Sequence, residues 1–213
     1  MSDEEALDKL AKQILVCTQC ELHRSRKKAV PGEGPTHAEI MFIGEGPGFH
    51  ENEQGRPFVG AAGKFLDQLL EQAGVTRADV WITNVVKCRP PGNRDPLPDE
   101  VETCTSNYLQ HQIKIVNPSI IVTLGRFSMG LFFKGAKITQ IHGQMRKVAD
   151  RFVIAMFHPA AALHQISLKP AIMEDFAKLP ELLKEARAAL GKSAPAEKQQ
   201  KTKEDDPKQM NLF

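Results

Sequence analysis

Residues 38–45, AEIMFIGE, running into GPGFHENEQGRPFVG (46–60), decide the fold. Ile40, Met41, Phe42 and Ile43 form an unbroken apolar run. That is the pattern of a strand covered on both faces rather than one with a wet side. The strand ends in a turn with glycines at 44, 46 and 48. Working outward, GAAGKFLDQLLEQAG (60–74) carries Phe65, Leu66, Leu69 and Leu70 at helical spacing, with Gly74 as its stop. VWITNVV (80–86) reads as the next strand and RPPGNRDPLP (89–98) as a loop. A helix capped by Asp99 runs to about Val116. The strand SIIVTLG (119–125), a short helix at 126–133, a hairpin within 138–156 ending in FVIAMF, and an amphipathic helix over 169–190 complete the series. At the other end, Ala6, Leu7, Leu10, Ile14 and Leu15 mark a helix over 3–16.

Strands alternating with helices predict an α/β fold, a three-layer α/β/α arrangement around a central, largely parallel four-stranded sheet. In such sheets the ligand crevice lies beyond the carboxyl ends of the strands. GEGPGFHENEQGRPFVG, TNVVKCRPPGNR and HPAAAL all fall there. Topology alone therefore predicts that they build one site.

The 213 residues suffice for one sizeable domain, expected over 1–190, plus an appendage. With 41% hydrophobic and 25% charged residues the chain has a soluble globular composition. No stretch reaches the ~20 apolar residues of a membrane span. MSDEEALDKLAKQIL (1–15) opens on acids, unlike a secretory signal, so a cytoplasmic, nucleoid-associated monomer is expected. A formal charge of +2 excludes a nucleic-acid binder held by bulk charge alone and leaves room for a local basic patch.

Four cysteines stand out: Cys17 and Cys20 as C-x2-C, then Cys88 and Cys104. A reducing compartment argues against a disulfide framework. Four thiolates suit a metal centre, and zinc and a [4Fe-4S] cluster both accept that set. The wide second pair is unlike a zinc ribbon, and a cluster tolerates uneven spacing better than one ion does.

The glycine-rich turn is a poor phosphate loop. It lacks Gly-Lys-Ser/Thr and carries Glu45, Glu51 and Glu53. Acids beside closely spaced amides suit holding a water or a neutral base. Phe58 is either a core anchor or a stacking platform for a planar ring. Asn84, closing a strand, is either a capping amide or a two-pronged partner for a base edge. His158 ends the last strand just before a proline, at the shared crevice.

These three motifs, in this order and with the cysteine pairs in register, resemble the family 4, iron–sulfur-containing uracil-DNA glycosylases over residues 10–190. The resemblance implies a uracil-DNA glycosylase-like fold, a [4Fe-4S] cluster on Cys17, Cys20, Cys88 and Cys104, and excision of uracil flipped out of DNA. It implies that Phe58 stacks on uracil, Asn84 bonds its N3–O4 edge, and His158 donates to O2 as charge develops. Glu51 would crowd out thymine's methyl group. Glu45 and Gly46, with Asn93 nearby, would place the attacking water. The best-known uracil glycosylases have aspartate where this sequence has Gly46, which leaves the general base open. A sister branch traps the sugar covalently and carries a basic, histidine-bearing insert after the second motif. The loop RPPGNRDPLPDE has neither insert nor histidine, so turnover is expected. Leu163 is a candidate wedge for the vacated stack, or a leucine packing its own helix. Arg24, Arg26, Lys27 and Lys28 are candidate phosphate contacts, or ordinary solvated charge. The rival reading is a non-catalytic nucleic-acid-binding module with zinc on the four cysteines.

Residues 191–213 hold five lysines and four acids and little that is apolar before the end, the composition of a disordered tail. The final QMNLF resembles the short peptide with which bacterial repair and replication proteins bind the sliding clamp. Gln209 would bond the groove edge, with Leu212 and Phe213 in an apolar pocket.

Overall fold

The computed structural model describes residues 1–192, so the tail and its Gln209, Leu212 and Phe213 lie outside the described residues. Helix α1 (Asp3–Val16) opens on a reciprocal cap. Ser2 Oγ accepts from the Glu5 amide at 3.2 Å, and Glu5 Oε2 accepts from the Ser2 amide at 2.7 Å. Its buried stripe is Leu7, Leu10 and Ile14, while Leu15 faces solvent.

Strand β1 (Ile40–Gly44) leads through α2 (Phe49–Gln54) and α3 (Ala61–Gln72) to β2 (Trp81–Asn84). Then come α4 (Pro98–Cys104), a π-helical turn over Thr105–Leu109, α5 (Gln110–Val116) and β3 (Ile120–Leu124). Two short helices, α6 (Arg126–Gly130) and α7 (Ile138–Ile141), precede β4 (Met145–Val148) and β5 (Arg151–Met156). Helices α8 (Pro159–His164), α9 (Lys169–Ala177) and α10 (Leu179–Leu190) close the fold.

The sheet order is β2-β1-β3-β5-β4. The first four strands are parallel, and β4 pairs antiparallel with β5. The sheet therefore has five strands rather than the expected four. The first arm of the hairpin turns back through Ala149 (φ 55) and joins the edge. Arg146 and Lys147 keep that edge charged, which discourages pairing with another chain.

Every residue of β1, β2 and β3 is buried, because helices cover both faces. Side chains alternate across the sheet. Ile40 and Phe42 point into one layer with α3, α9 and α10; Met41 and Ile43 point into the other with α1 and α5. The helix expected over 169–190 breaks at Lys178. Pro180 has no amide hydrogen, and its ring would crowd the carbonyl of Phe176. Leu97, not Asp99, caps α4: Pro98 fixes the first turn and Glu100 Oε2 accepts from the Leu97 amide at 2.8 Å. Among the described residues no helix is long and apolar enough to cross a membrane.

Candidate active site

A cavity of about 180 Å³ opens at the carboxyl ends of β1, β2 and β5. Gly46, Gly48, Glu51, Phe58, Ala62, Asn84, His158 and Ala160 line it. All three motifs thus converge, although Phe58, Asn84 and His158 are far apart in sequence. The volume lies below the ~300–1,000 Å³ of sites for drug-sized ligands and suits one small flat ring.

Phe58 sits at φ 53, a left-handed conformation costly for a bulky residue, of order 1–3 kcal/mol. Its surroundings hold it there. Glu51 Oε1 accepts from the amides of Val59 (3.0 Å) and Gly60 (3.1 Å) just beyond it. Arg77 donates to the carbonyls of Pro57 (3.1 Å) and Phe58. Arg77 is in turn fixed by Glu33 (2.7 Å) and Asp67 (2.6 Å). Helix α3 approaches so closely at Gly63 that a Cβ there would strike the Phe58 carbonyl. The Phe58 ring stacks beside His158, centroids 5.4 Å apart at 24°.

Asn84 ends β2 opposite Gly44 and is buried. A Cβ on Gly44 would lie 2.7 Å from Phe58 Cζ and would strike Asn84 Oδ1, so only glycine lets both side chains close over the end of β1. The Asn84 side-chain amide bonds no described residue and is free to meet a ligand. The backbone carbonyl of Asn84 accepts from Lys87 Nζ at 2.7 Å. Lys87 is itself fully buried and also donates to Thr83 Oγ1 and Gln112 Oε1, each at 2.7 Å.

His158 caps α8. Its Nδ1 accepts from the Ala160 amide at 3.1 Å, so Nε2 carries the proton of the neutral ring. Enclosure of the ring pushes its pKa down to about 4, opposed in part by the Glu51 carboxylate. At neutral pH the site therefore presents an uncharged N–H donor.

The remaining residues singled out in the sequence are placed differently. Glu45 follows β1 but is not on the cavity lining. Burial raises its carboxyl pKa, Asp95 adds to the rise, and Arg126 opposes it. Asn93 is exposed in the proline-rich loop, its Oδ1 accepting from Arg89 Nε at 2.7 Å. Leu163 is 53% exposed on α8, one turn beyond Ala160. Of the basic run, Arg24 pairs with Glu21 (3.2 Å) and Lys27 with Glu53. Arg26 donates to Cys88 Sγ (3.2 Å) and to the Leu15 carbonyl (3.1 Å). Neither Arg26 nor Lys28 has a carboxylate partner among the described residues.

Gly44 is read in the sequence only as a turn glycine, and Gly63, Arg77 and Lys87 escape the sequence reading. A glycine inside a helix, as at 63, and a lone lysine inside the apolar run VVKC are signals of close approach and of a buried donor. Arg77 gives no local signal, because its partners come from three other segments.

Cys88 and Cys104 are buried, and Cys17 and Cys20 half-buried, beside α1 and the π-helical turn. The thiols feel one another's charge, and burial raises the pKa of Cys20, Cys88 and Cys104, the last to about 11. Such thiols are poor free nucleophiles. Among the described residues no group of three or more His, Cys, Asp or Glu side chains is drawn together as for one metal ion.

The profile of the Uracil DNA glycosylase superfamily matches residues 31–187. The chain is 47% identical over 188 residues to a Type-4 uracil-DNA glycosylase of Sulfurisphaera tokodaii, covering 84% of this chain and 85% of that protein. It is 44% identical to the Type-4 enzyme of Archaeoglobus fulgidus (84% and 94% covered). It is 42% identical to that of Thermotoga maritima (85% and 96%).

Proposed function

Because this chain belongs to the uracil DNA glycosylase superfamily, we infer that it is a uracil-DNA glycosylase that hydrolyses the N-glycosidic bond of deoxyuridine. The products are free uracil and an abasic site. The base must leave the helix to react, since the bond is out of reach inside the stack. The observation that carries the reading is the single small cavity to which three separated motifs bring a strained aromatic ring, a free carboxamide and a neutral imidazole.

In this reading uracil enters flat against Phe58. The Asn84 carboxamide accepts from N3–H and donates to O4, a pairing that cytosine's edge does not offer. As C1′–N1 breaks, its electrons pass into the ring and charge grows on O2. The His158 Nε2–H bond strengthens there without giving up its proton, which is differential stabilisation of the transition state. Water supplies hydroxyl to C1′ and its proton to the departing base. Glu45 and Gly46, with Asn93 on the neighbouring loop, place that water. Glu51, anchored by two amides, borders the ring at C5 and excludes a methyl group. Leu163 fills the vacated stack, and Lys28 and its neighbours approach the phosphates. No lysine among the described residues lines the cavity, and Lys87 has its donors occupied behind Asn84, so the enzyme releases the base without cutting the strand.

We assign a [4Fe-4S] cluster to Cys17, Cys20, Cys88 and Cys104. The all-thiol donor set supports this, as does the Arg26 N–H already aimed at Cys88 Sγ, the kind of outer-shell bond that steadies a thiolate. Held there, these four residues would tie α1 to the loop after β2 and to α4, and the group would supply structural support rather than electron transfer. We further assign clamp docking to Gln209, Leu212 and Phe213 on sequence alone, and a monomeric, cytoplasmic state.

Incubation with a uracil-containing oligonucleotide, followed by chromatography of released base and alkali treatment, tests the activity. Free uracil and alkali-dependent cleavage are expected; their absence on both single strands and duplexes overturns it.

A further inference from the structure

The excision chemistry uses the inner wall of the cavity and leaves one pair at its rim without a role. Gly48 lines the cavity, and the next residue, Phe49, turns outward on the first turn of α2 with 53% of its surface exposed. A lone exposed phenylalanine needs no explanation, but this one is braced. The Arg89 guanidinium lies over its ring, 5.3 Å from the centroid, and His50 meets it edge-on at 5.4 Å. Arg89 is itself held, its Nε bonded to Asn93 Oδ1 at 2.7 Å. The neighbouring Pro90 lies against Gly46 on the cavity wall. Arg89 forms no ion pair with any described carboxylate, so its outer N–H groups remain available. An uncovered aromatic face and an unpaired cation thus stand side by side at the edge of a base-sized cavity. These are the two chemistries of a nucleotide, a π-face to stack on and a phosphate to neutralise.

We propose that Phe49 and Arg89 form a subsite for the nucleotide next to the flipped deoxyuridine, the ring stacking on its base and the guanidinium holding its phosphate. The proposal rests on the reading of the cavity as the uracil site, with which the pair is continuous. Stacking on an aromatic side chain is tolerant of base identity, so the subsite adds affinity without sequence preference. In a duplex the neighbouring base is already stacked on its own partner, whereas in a single strand it is free. The subsite therefore favours single-stranded or locally opened DNA.

The test uses the full chain and an oligonucleotide bearing 2′-fluoro-deoxyuridine, which binds but resists cleavage, read by fluorescence anisotropy. Phe49→Ala is expected to weaken single-strand binding about tenfold and duplex binding less. Phe49→Leu, which keeps the apolar bulk but not the π-face, follows the alanine variant, and Phe49→Trp retains affinity. On a cleavable strand the loss falls on KM by the same factor. Arg89→Gln lowers the salt dependence of binding by about one phosphate contact. Wild-type affinity in Phe49→Ala, or Phe49→Leu binding as tightly as Phe49→Trp, overturns the proposal. Failure of the wild-type protein to prefer uracil over thymine oligonucleotides would instead overturn the reading of the cavity itself.

Discussion

Glu51 Oε1 accepts a hydrogen bond from the Gly60 amide at 3.1 Å, and Gly60 is the residue that caps α3. The carboxylate on the cavity lining, proposed to border the base, therefore also serves an orphan donor at a helix start and, through Val59, fixes the turn that carries Phe58. Removing the side chain should do more than open space for a methyl group. Glu51→Ala is expected to slow uracil excision at least tenfold, because a charged hydrogen bond worth roughly 1.5–3 kcal/mol no longer holds the Phe58 turn. Glu51→Gln keeps an acceptor and should stay close to wild type. Single-turnover rates on a uracil oligonucleotide decide this, and an alanine variant as fast as wild type would reduce Glu51 to a steric gate.

The pKa of His158, near 4, has consequences for rate and stability. The rate carries no inflection from this group near pH 6.5, since the ring is already neutral there. An inflection near 6.5 that disappears in His158→Asn would contradict the neutral ring described above. For stability, the unfolded histidine takes a proton as pH falls through about 6.5, while the folded one resists until about 4. Stability from this group is thus fully present above pH 6.5 and declines between 6.5 and 4, by roughly 3 kcal/mol at most. Denaturant melts across that range should show a shallower decline in His158→Asn than in wild type.

Two glycines should fail in different ways. At Gly44 an added methyl meets the side chains of Asn84 and Phe58, while at Gly63 it meets the Phe58 backbone. Gly44→Ala is expected to fold yet lose most excision activity. Gly63→Ala should lose about 1–3 kcal/mol of stability, the range for overpacking. Thermal melts alongside single-turnover rates separate the two, and equal effects on both quantities in both variants would contradict the assignment.

Much of the geometry of this site is legible in the sequence. The continuous apolar run at 40–43 reads as a strand covered on both faces, which it is, and the three polar motifs, read at strand ends, meet at one cavity. What stayed hidden depends on contacts far apart in sequence. Arg26 reads as surface charge in HRSRKK, yet it turns inward to Cys88, 62 residues away. Arg77 is anonymous until Glu33, Asp67 and Phe58 surround it. The sequence places β4 only as one arm of a hairpin, since membership of the sheet edge depends on where β5 lies and not on the residues of β4.

The cysteines offer a test independent of catalysis. Protein purified without oxygen is expected to be brown, to absorb near ~400 nm and to hold about four iron atoms per chain. Cys88→Ser and Cys104→Ser, at buried positions in the core that α1 shares with α5, should be colourless and poorly soluble. Zinc with no iron in freshly isolated protein would contradict the cluster assignment.

The central claim is that the cavity reads the edge of uracil through Asn84. Single-turnover excision by wild type and by Asn84→Ala, on otherwise identical oligonucleotides containing uracil or cytosine, tests it most directly. The account predicts that wild type releases uracil and leaves cytosine, and that a folded Asn84→Ala loses about a hundredfold or more on uracil, as expected when a group engaged in the transition state is removed. An Asn84→Ala protein that releases uracil at the wild-type rate would contradict it.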